Sequence, residues 1–87
     1  MLKIYGSMLC KDCIACLDDL KKAGIGFEFC DFAEDLQHLK TFLVLRDSDP
    51  VFEQARAGGY IGIPCIQRED GGITLTWDEF ICSSGKT

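Results

Sequence analysis

The stretch LKIYGSMLCKDC, residues 2–13, joins a short strand pattern to a pair of cysteines. Apolar and polar residues alternate from Leu2 to Tyr5, which is typical of a β-strand, and a Gly-Ser pair then ends that pattern. A helical pattern follows, and it begins with the C-x-x-C spacing of Cys10 and Cys13. The cysteine pair is therefore predicted to lie where a strand has ended and a helix starts.

The residues after the pair predict an amphipathic helix that ends near Gly24. Lys21 and Lys22 suit the negative C-terminal end of a helix dipole, and Gly24 can adopt the left-handed cap conformation. At about 100° per residue, apolar residues and thiols collect on one half of the helix circumference. That half comprises Cys10, Cys13, Ile14, Cys16, Leu17 and Leu20.

Strands and helices continue to alternate along the rest of the chain. Alternation over residues 27–31 predicts a second strand, parallel to the first because a helix crosses between them. Two further helices are predicted, one from apolar spacing and one from Asp49-Pro50 to Gly58-Gly59. The positions that predict the first of these are Leu36, Leu39, Phe42, Leu43 and Arg46.

The last part of the chain predicts a hairpin and a short helix. Residues 61–67 form a strand pattern that contains Pro64, and the turn sequence Asp70-Gly71-Gly72 leads into a strand over residues 73–76. A final helix is predicted from about Asp78. The whole order, β-α-β-α-α-β-β-α, predicts an α/β fold.

Length and composition limit the class of protein. With 87 residues, of which 47% are hydrophobic and 26% charged, the chain is expected to fold as a single domain over residues 1–87. The net charge is −5 and no run of lysine or arginine occurs, so nucleic acid is not an expected partner. No stretch approaches transmembrane length, and we expect no membrane partner.

The 6 cysteines could belong to a secreted disulfide framework or to a set of reduced thiols. The N-terminal residues contain no apolar stretch of signal-peptide length. The cysteines also occur within apolar periodic segments, where a small thiol packs well. We therefore expect a reducing, cytoplasmic setting, with Cys16, Cys30, Cys65 and Cys82 as core or incidental residues.

The pair Cys10 and Cys13 carries the predicted chemistry. Free N–H groups and the positive dipole end of a first helical turn stabilise an anion, so the thiolate of Cys10 is favoured. A thiolate attacks a disulfide, and Cys13 is close enough to resolve the mixed disulfide that forms. Lys11 would add to the stabilisation of the thiolate, whereas Asp12 would oppose it. This predicts a dithiol oxidoreductase for protein or small-molecule disulfides, kept reduced by a thiol reductant system.

Two other interpretations of the cysteines remain open. Cys10, Cys13 and Cys16 together give the spacing C-x-x-C-x-x-C, so an iron-sulfur or zinc protein is an alternative. A redox sensor is the other, in which a Cys10–Cys13 bridge alters partner binding without turnover.

The order of these features resembles glutaredoxins, which belong to the thioredoxin superfamily. The matching features are the strand from Leu2 to Tyr5, the C-x-x-C pair at a helix start, Ile63-Pro64 at a strand, and the acidic Asp78 after the hairpin. The resemblance implies a thioredoxin-like three-layer sandwich. Its four-stranded mixed sheet would have the order 2-1-3-4, with the last strand antiparallel and helices flanking the sheet.

The resemblance also implies a substrate-binding segment and further contacts. Pro64 would follow a cis peptide bond and face the cysteine pair, and the backbone of Ile63 would hydrogen-bond an extended substrate. Asp78, which matches an acidic position of the family, is a further substrate-binding residue that it implies. Lys11 and Asp12, which lie between the two cysteines, are also expected to contact substrate.

Three features depart from the glutaredoxin pattern. Glutaredoxins usually have Pro-Tyr between the cysteines, a lysine shortly before them and a Gly-Gly pair near the last turn. This chain has Lys11-Asp12, Ser7 and Leu75-Thr76 at those places. Glutathione is therefore one candidate electron donor rather than a required one, and no tightly bound cofactor is expected.

Overall fold

Strands and helices alternate through the structure in the order expected from the sequence. The computed structural model describes residues 1–84, and the side chains of residues 1–81. The strands are β1 (Leu2–Gly6), β2 (Phe27–Asp31), β3 (Cys65–Gln67) and β4 (Ile73–Thr74). The helices are α1 (Lys11–Lys22), α2 (Leu36–Ser48), α3 (Glu53–Gly58), which follows a 3₁₀ turn, and α4 (Trp77–Ser84).

The strands form one mixed sheet with the order β2-β1-β3-β4. β1 and β2 are parallel, in register from Leu2 opposite Phe27 to Gly6 opposite Asp31. β3 runs antiparallel to β1 and also to β4, with which it forms the hairpin. The predicted α/β class, the strand order and the antiparallel last strand are confirmed.

Helices cover both faces of the sheet. Because successive side chains of a strand point to opposite faces, β1 contributes buried residues to both of them. Leu2 and Ile4 pack against α1 and against apolar residues of α4. Tyr5 packs on the other face with Phe42 of α2 and Phe52 of the 3₁₀ turn. β1 is therefore the central strand of two separate apolar clusters, and its end lies between them.

Both strands of the hairpin are shorter than predicted. The strand expected over residues 61–67 begins only at Cys65, and the one expected over 73–76 contains only Ile73–Thr74. Gly62 has a φ of +92° and Pro64 has no backbone N–H, so residues 61–64 cannot continue a ladder with β1. This segment becomes a loop at the end of the sheet.

Several apolar residues that were expected on packed helix faces are exposed instead. Ile14 of α1 is 44% exposed, and Leu36 and Leu43 of α2 are 67% and 42% exposed. The sheet is narrow, so α2 buries only Phe42 and α1 buries a stripe of four residues, which are Cys13, Cys16, Leu17 and Leu20. Within residues 1–84, no helix has the length and apolar character needed to cross a bilayer.

Candidate functional site: a thiol pair beside an apolar groove

A tight turn between β1 and α1 positions Cys10. The Ser7 hydroxyl accepts a hydrogen bond from the Leu9 backbone N–H at 3.1 Å. The Ser7 carbonyl accepts one from the Cys10 backbone N–H, also at 3.1 Å. The chain turns at Cys10 with extended φ and ψ of −94° and 120°, and α1 starts at the next residue. The predicted position of the pair at a strand end and a helix start is present in the structure.

The sulfur of Cys10 takes the place of the oxygen in an ordinary helix N-cap. Its Sγ accepts a hydrogen bond from the backbone N–H of Cys13 at 3.3 Å. Ser, Thr, Asp or Asn usually supplies this acceptor. An N–H donor and the positive end of the α1 dipole both stabilise negative charge on a sulfur in this position. Cys10 is partly exposed at the protein surface.

Cys13 lies directly beneath Cys10 and is fully buried. Burial raises the pKa of the Cys13 thiol to about 12. A hydrogen bond from the Ser7 backbone lowers this pKa in part, and the Cys10 side chain raises it further. Cys13 is therefore a neutral thiol at physiological pH, held against the sulfur that faces solvent.

Cys13 occupies the space that a side chain at Gly6 would fill. A Cβ atom at Gly6 would lie 2.6 Å from Cys13 Sγ, closer than any real contact of that kind. The last residue of β1 therefore has to lack a side chain for Cys13 to pack beneath Cys10.

The Cys10 sulfur opens onto an apolar groove with a volume of about 600 Å³. One wall is the turn with Leu9, and the other is the loop that precedes Pro64. The lining residues are Ser7, Leu9, Cys10, Gly59, Tyr60, Ile61, Gly62 and Ile63.

An arginine of α2 holds the loop that forms the far wall. Arg46 donates from Nε to the Ile61 carbonyl at 2.8 Å and from Nη2 to the Tyr60 carbonyl at 2.5 Å. Arg56 of α3 in turn donates to the carbonyls of Arg46 and Asp49. The carbonyl groups of this loop thus face α2, and its apolar side chains line the groove.

The loop passes closely over the second apolar cluster at Gly62. A Cβ atom there would lie 2.9 Å from Phe52, and the φ of +92° disfavours any other residue. Gly62 therefore fixes how the loop approaches Cys10.

Ile63 and Pro64, predicted from the resemblance to bind substrate, lie at the end of this loop. Ile63 is partly exposed and lines the groove together with Cys10, whereas Pro64 is buried behind it. The Ile63–Pro64 peptide bond is cis. The structure thus brings Ile63 to the cysteine pair, with Pro64 as its support.

The three charged residues that were expected to contact substrate do not line the groove. Lys11 and Asp12 are exposed in the first turn of α1, next to the pair but outside the groove. Asp78 lines a separate depression with Asp19 and Lys22, between α1 and α4. This position, away from the groove, does not support the prediction that Asp78 binds substrate.

The other described cysteines are buried in the packed interior. Cys16 lies in the cluster between α1 and the sheet, and burial raises its pKa to about 12. Cys30 and Cys65 lie on the opposite face, each opposite Tyr5 in register on a neighbouring strand. Two strand spacings separate them by about 9–10 Å, too far for a disulfide. The side chain of Cys82 lies outside the described residues.

The described side chains of residues 1–81 are not arranged to bind a metal ion. Among these described side chains, no three Cys, His, Asp or Glu residues are grouped as ligands. Cys13 and Cys16 face the packed interior, where further ligands would have to enter the core.

Sequence reasoning missed the residues that shape the groove, namely Leu9, Tyr60 and Ile61. They are 94%, 71% and 60% exposed. Apolar side chains next to a strand pattern predict burial, so the pattern itself gave the opposite expectation. Gly59 and Gly62 on either side of Tyr60 and Ile61 are the one signal that this segment leaves the sheet.

Comparison with known proteins gives one relative of this chain. The chain is 32% identical over 72 residues to an uncharacterized protein of Haemophilus influenzae, and the alignment covers 83% of this chain and 84% of that protein. No family model matches the chain. No solved structure matches it. At this identity and coverage, the chain belongs to the same family as the uncharacterized Haemophilus protein.

Proposed function

We propose that this protein is a glutaredoxin-like thiol-disulfide oxidoreductase with a thioredoxin-like fold. The observation that carries the proposal is the position of Cys10 Sγ: it caps α1, accepts the Cys13 N–H at 3.3 Å and opens onto a groove. The order of the strands, with helices on both faces of the sheet, supports the assignment of the fold.

The first step is attack by Cys10 on a substrate disulfide. The Cys10 thiolate forms a bond to one substrate sulfur, and the substrate S–S bond breaks. The other substrate sulfur leaves as a thiolate. The attacking sulfur accepts a hydrogen bond from the Cys13 N–H and lies next to the N-terminal end of α1.

The second step is resolution by Cys13. The Cys13 sulfur attacks Cys10 Sγ, the bond from Cys10 to the substrate breaks, and a Cys10–Cys13 disulfide forms. Burial keeps Cys13 protonated, with a pKa of about 12, so its proton has to pass to a departing substrate thiolate or to solvent. Over both steps the substrate disulfide gains two electrons from the cysteine pair and one proton from Cys13. A second proton, taken from solvent, completes the two substrate thiols.

A thiol reductant returns the pair to the dithiol state. Either a protein dithiol or two monothiol molecules such as glutathione can supply the two electrons. A cycle of this kind needs a reducing compartment, and the cytoplasm is the expected one. Lys11 and Asp12, exposed beside Cys10, are the charged residues that such partners would meet first.

Trapping the mixed disulfide tests the proposal. The reduced protein would be mixed with insulin or hydroxyethyl disulfide, and adducts would be identified by intact-protein and peptide mass spectrometry. We expect Cys13→Ser to accumulate an adduct on Cys10, and Cys10→Ser to lose turnover by at least about a hundredfold. Because Cys13 is buried, Cys13→Ala serves as a second trapping variant in which no hydroxyl is buried.

Cys30→Ala is the matched control, since Cys30 is a buried cysteine remote from Cys10. It should retain the turnover of the unsubstituted protein. Full activity of Cys10→Ser would overturn the proposal. So would adducts that form equally on other cysteines.

Two alternatives predict different results in the same samples. A metal protein would bind iron or zinc in stoichiometric amount through Cys10 and Cys13, with or without Cys16. No grouped ligands support this among the described side chains of residues 1–81. A redox sensor would form the Cys10–Cys13 bridge and change its affinity for a partner, but it would not turn over a disulfide substrate.

A further inference from the structure

Exposed apolar side chains line the groove beside Cys10. Leu9 is 94% exposed on one side of it, and Tyr60 and Ile61 are 71% and 60% exposed on the other. Apolar side chains this exposed, gathered around one reactive sulfur, indicate a binding surface. What they can bind depends on the charges nearby.

No residue that lines the groove has a charged side chain, over the part of the chain that the structure describes. The nearest cation on the loop side, Arg46, is already bound to the carbonyls of Tyr60 and Ile61. The protein also carries a net charge of −5. Within the groove, a small anionic disulfide such as glutathione disulfide would lose hydration without gaining an ion pair. The one lysine next to Cys10 in the sequence, Lys11, lies outside the groove and is followed by the acidic Asp12.

The groove continues beyond the reach of a small disulfide. A second cavity of about 510 Å³ shares Tyr60, Gly62 and Ile63 with the first and extends to Leu75 and Thr76. It also has no charged lining residue among those described. The combined surface therefore runs from Cys10, past Ile63, to the strand end of the hairpin.

The backbone of Ile63 lies midway along this surface. Among the turn and loop hydrogen bonds of residues 1–84, none uses the N–H or the carbonyl of Ile63. An extended polypeptide could pair with these groups in the way that a strand is added to a sheet edge. Backbone pairing gives affinity for any extended chain, and the apolar walls select its side chains.

We infer that the disulfide reduced by Cys10 is carried on an extended polypeptide segment with apolar residues next to its cysteine. Those side chains occupy the groove between Leu9 and Tyr60–Ile61, and the segment continues past Ile63. This inference rests on the proposed function and names the substrate class for the same site.

Paired synthetic peptides test the inference. Each peptide would carry one intramolecular disulfide, flanked in one by valine, leucine and phenylalanine and in the other by glutamate and serine. We expect kcat/KM for the apolar peptide to exceed that for the acidic one by about tenfold or more. Glutathione disulfide should be reduced no faster than the acidic peptide.

Substitutions in the groove test which residues cause the preference for the apolar peptide. Tyr60→Ser and Ile61→Ser should each lower kcat/KM for the apolar peptide, by about tenfold for Ile61, and reduce the ratio between the two peptides. Val44→Ser is the matched control, because Val44 is equally exposed, at 67%, but lies on α2 away from the groove. It should leave the ratio unchanged. Circular dichroism spectra and Tm values would confirm that the variants are folded.

The outcomes separate this inference from the proposed function. Equal rates for the two peptides, a faster rate for glutathione disulfide, or a ratio unaffected by both groove variants would overturn the inference if hydroxyethyl disulfide is still reduced. If the unsubstituted protein reduces none of these disulfides, the proposed function fails, and the inference fails with it.

Discussion

Cys13 and Cys65 have the same burial and pKa but different neighbours. Both are fully buried, and burial raises both pKa values to about 12. Cys13 contacts the partly exposed Cys10, whereas Cys65 lies in the aromatic cluster with Tyr5, Phe42 and other apolar residues. Neither burial nor pKa therefore distinguishes the proposed resolving thiol, Cys13, from Cys65. The distinguishing feature of Cys13 is its contact with an exposed thiol at a helix start.

The largest expected effect is in alkylation of the native protein. Iodoacetamide at pH 8 should modify Cys10 on the order of a hundredfold faster than Cys65, because Cys65 reacts only after the structure opens. Peptide mass spectrometry of timed samples would give the rates for the described cysteines. In denaturant the two rates should converge, and equal rates in the native protein would contradict the contrast.

A smaller effect is expected from filling the space under Cys13. Gly6→Ala would place a Cβ atom 2.6 Å from Cys13 Sγ, so we expect the free energy of unfolding to fall by about 1–3 kcal/mol. Resolution of the mixed disulfide should also slow as Cys13 is displaced. Urea unfolding and single-turnover kinetics would measure the two effects.

Gly26→Ala is the control for Gly6→Ala. The nearest atom to a Cβ there is Met1 Cε at 3.8 Å, an ordinary contact. We expect a change within about 0.5 kcal/mol. If both substitutions have the same effect, the close approach of Gly6 and Cys13 is not what constrains the site.

The most gradual effect is a loss of stability at alkaline pH, in which Cys13 and Cys65 should behave alike. Their pKa values rise from 9.0 to about 12 on folding, so the folded protein keeps protons that the unfolded chain loses. The free energy of unfolding should therefore be insensitive to these thiols below pH 9 and fall between pH 9 and about 12. The slope is on the order of 1 kcal/mol per pH unit for each thiol.

Urea unfolding under reducing conditions at several pH values would check this prediction. Cys13→Ala and Cys65→Ala should each flatten the alkaline slope by a similar amount. A slope that neither variant changes would show that other groups cause the loss.

The pattern of residues was sufficient to predict most of the fold that carries the site. Alternation in β1 and β2, with a helical pattern between them, predicted the parallel pair, and the sequence Asp70-Gly71-Gly72 predicted the hairpin. These features follow from local periodicity and turn chemistry, which depend on neighbouring residues alone. The placement of Cys10 at the start of α1 follows for the same reason.

The exposed apolar residues could not be predicted in this way. Leu36 and Leu43 of α2 have helical apolar spacing, yet they face solvent because the sheet beneath accommodates little more than Phe42. Periodicity indicates which residues share a face, but it does not indicate how much of that face a narrow sheet can cover.

The contrast is sharpest in the residues around Cys10. The order of the chain placed one thiol at a helix start with another in reach, because a strand, a tight turn and a helix follow each other directly. Only the three-dimensional packing decided that Tyr60 and Ile61 form a groove beside that thiol. Their position depends on Gly62 passing over Phe52 and on Arg46 reaching two loop carbonyls, contacts between residues distant in the sequence. No local pattern encodes such contacts, since each depends on where the rest of the chain has folded.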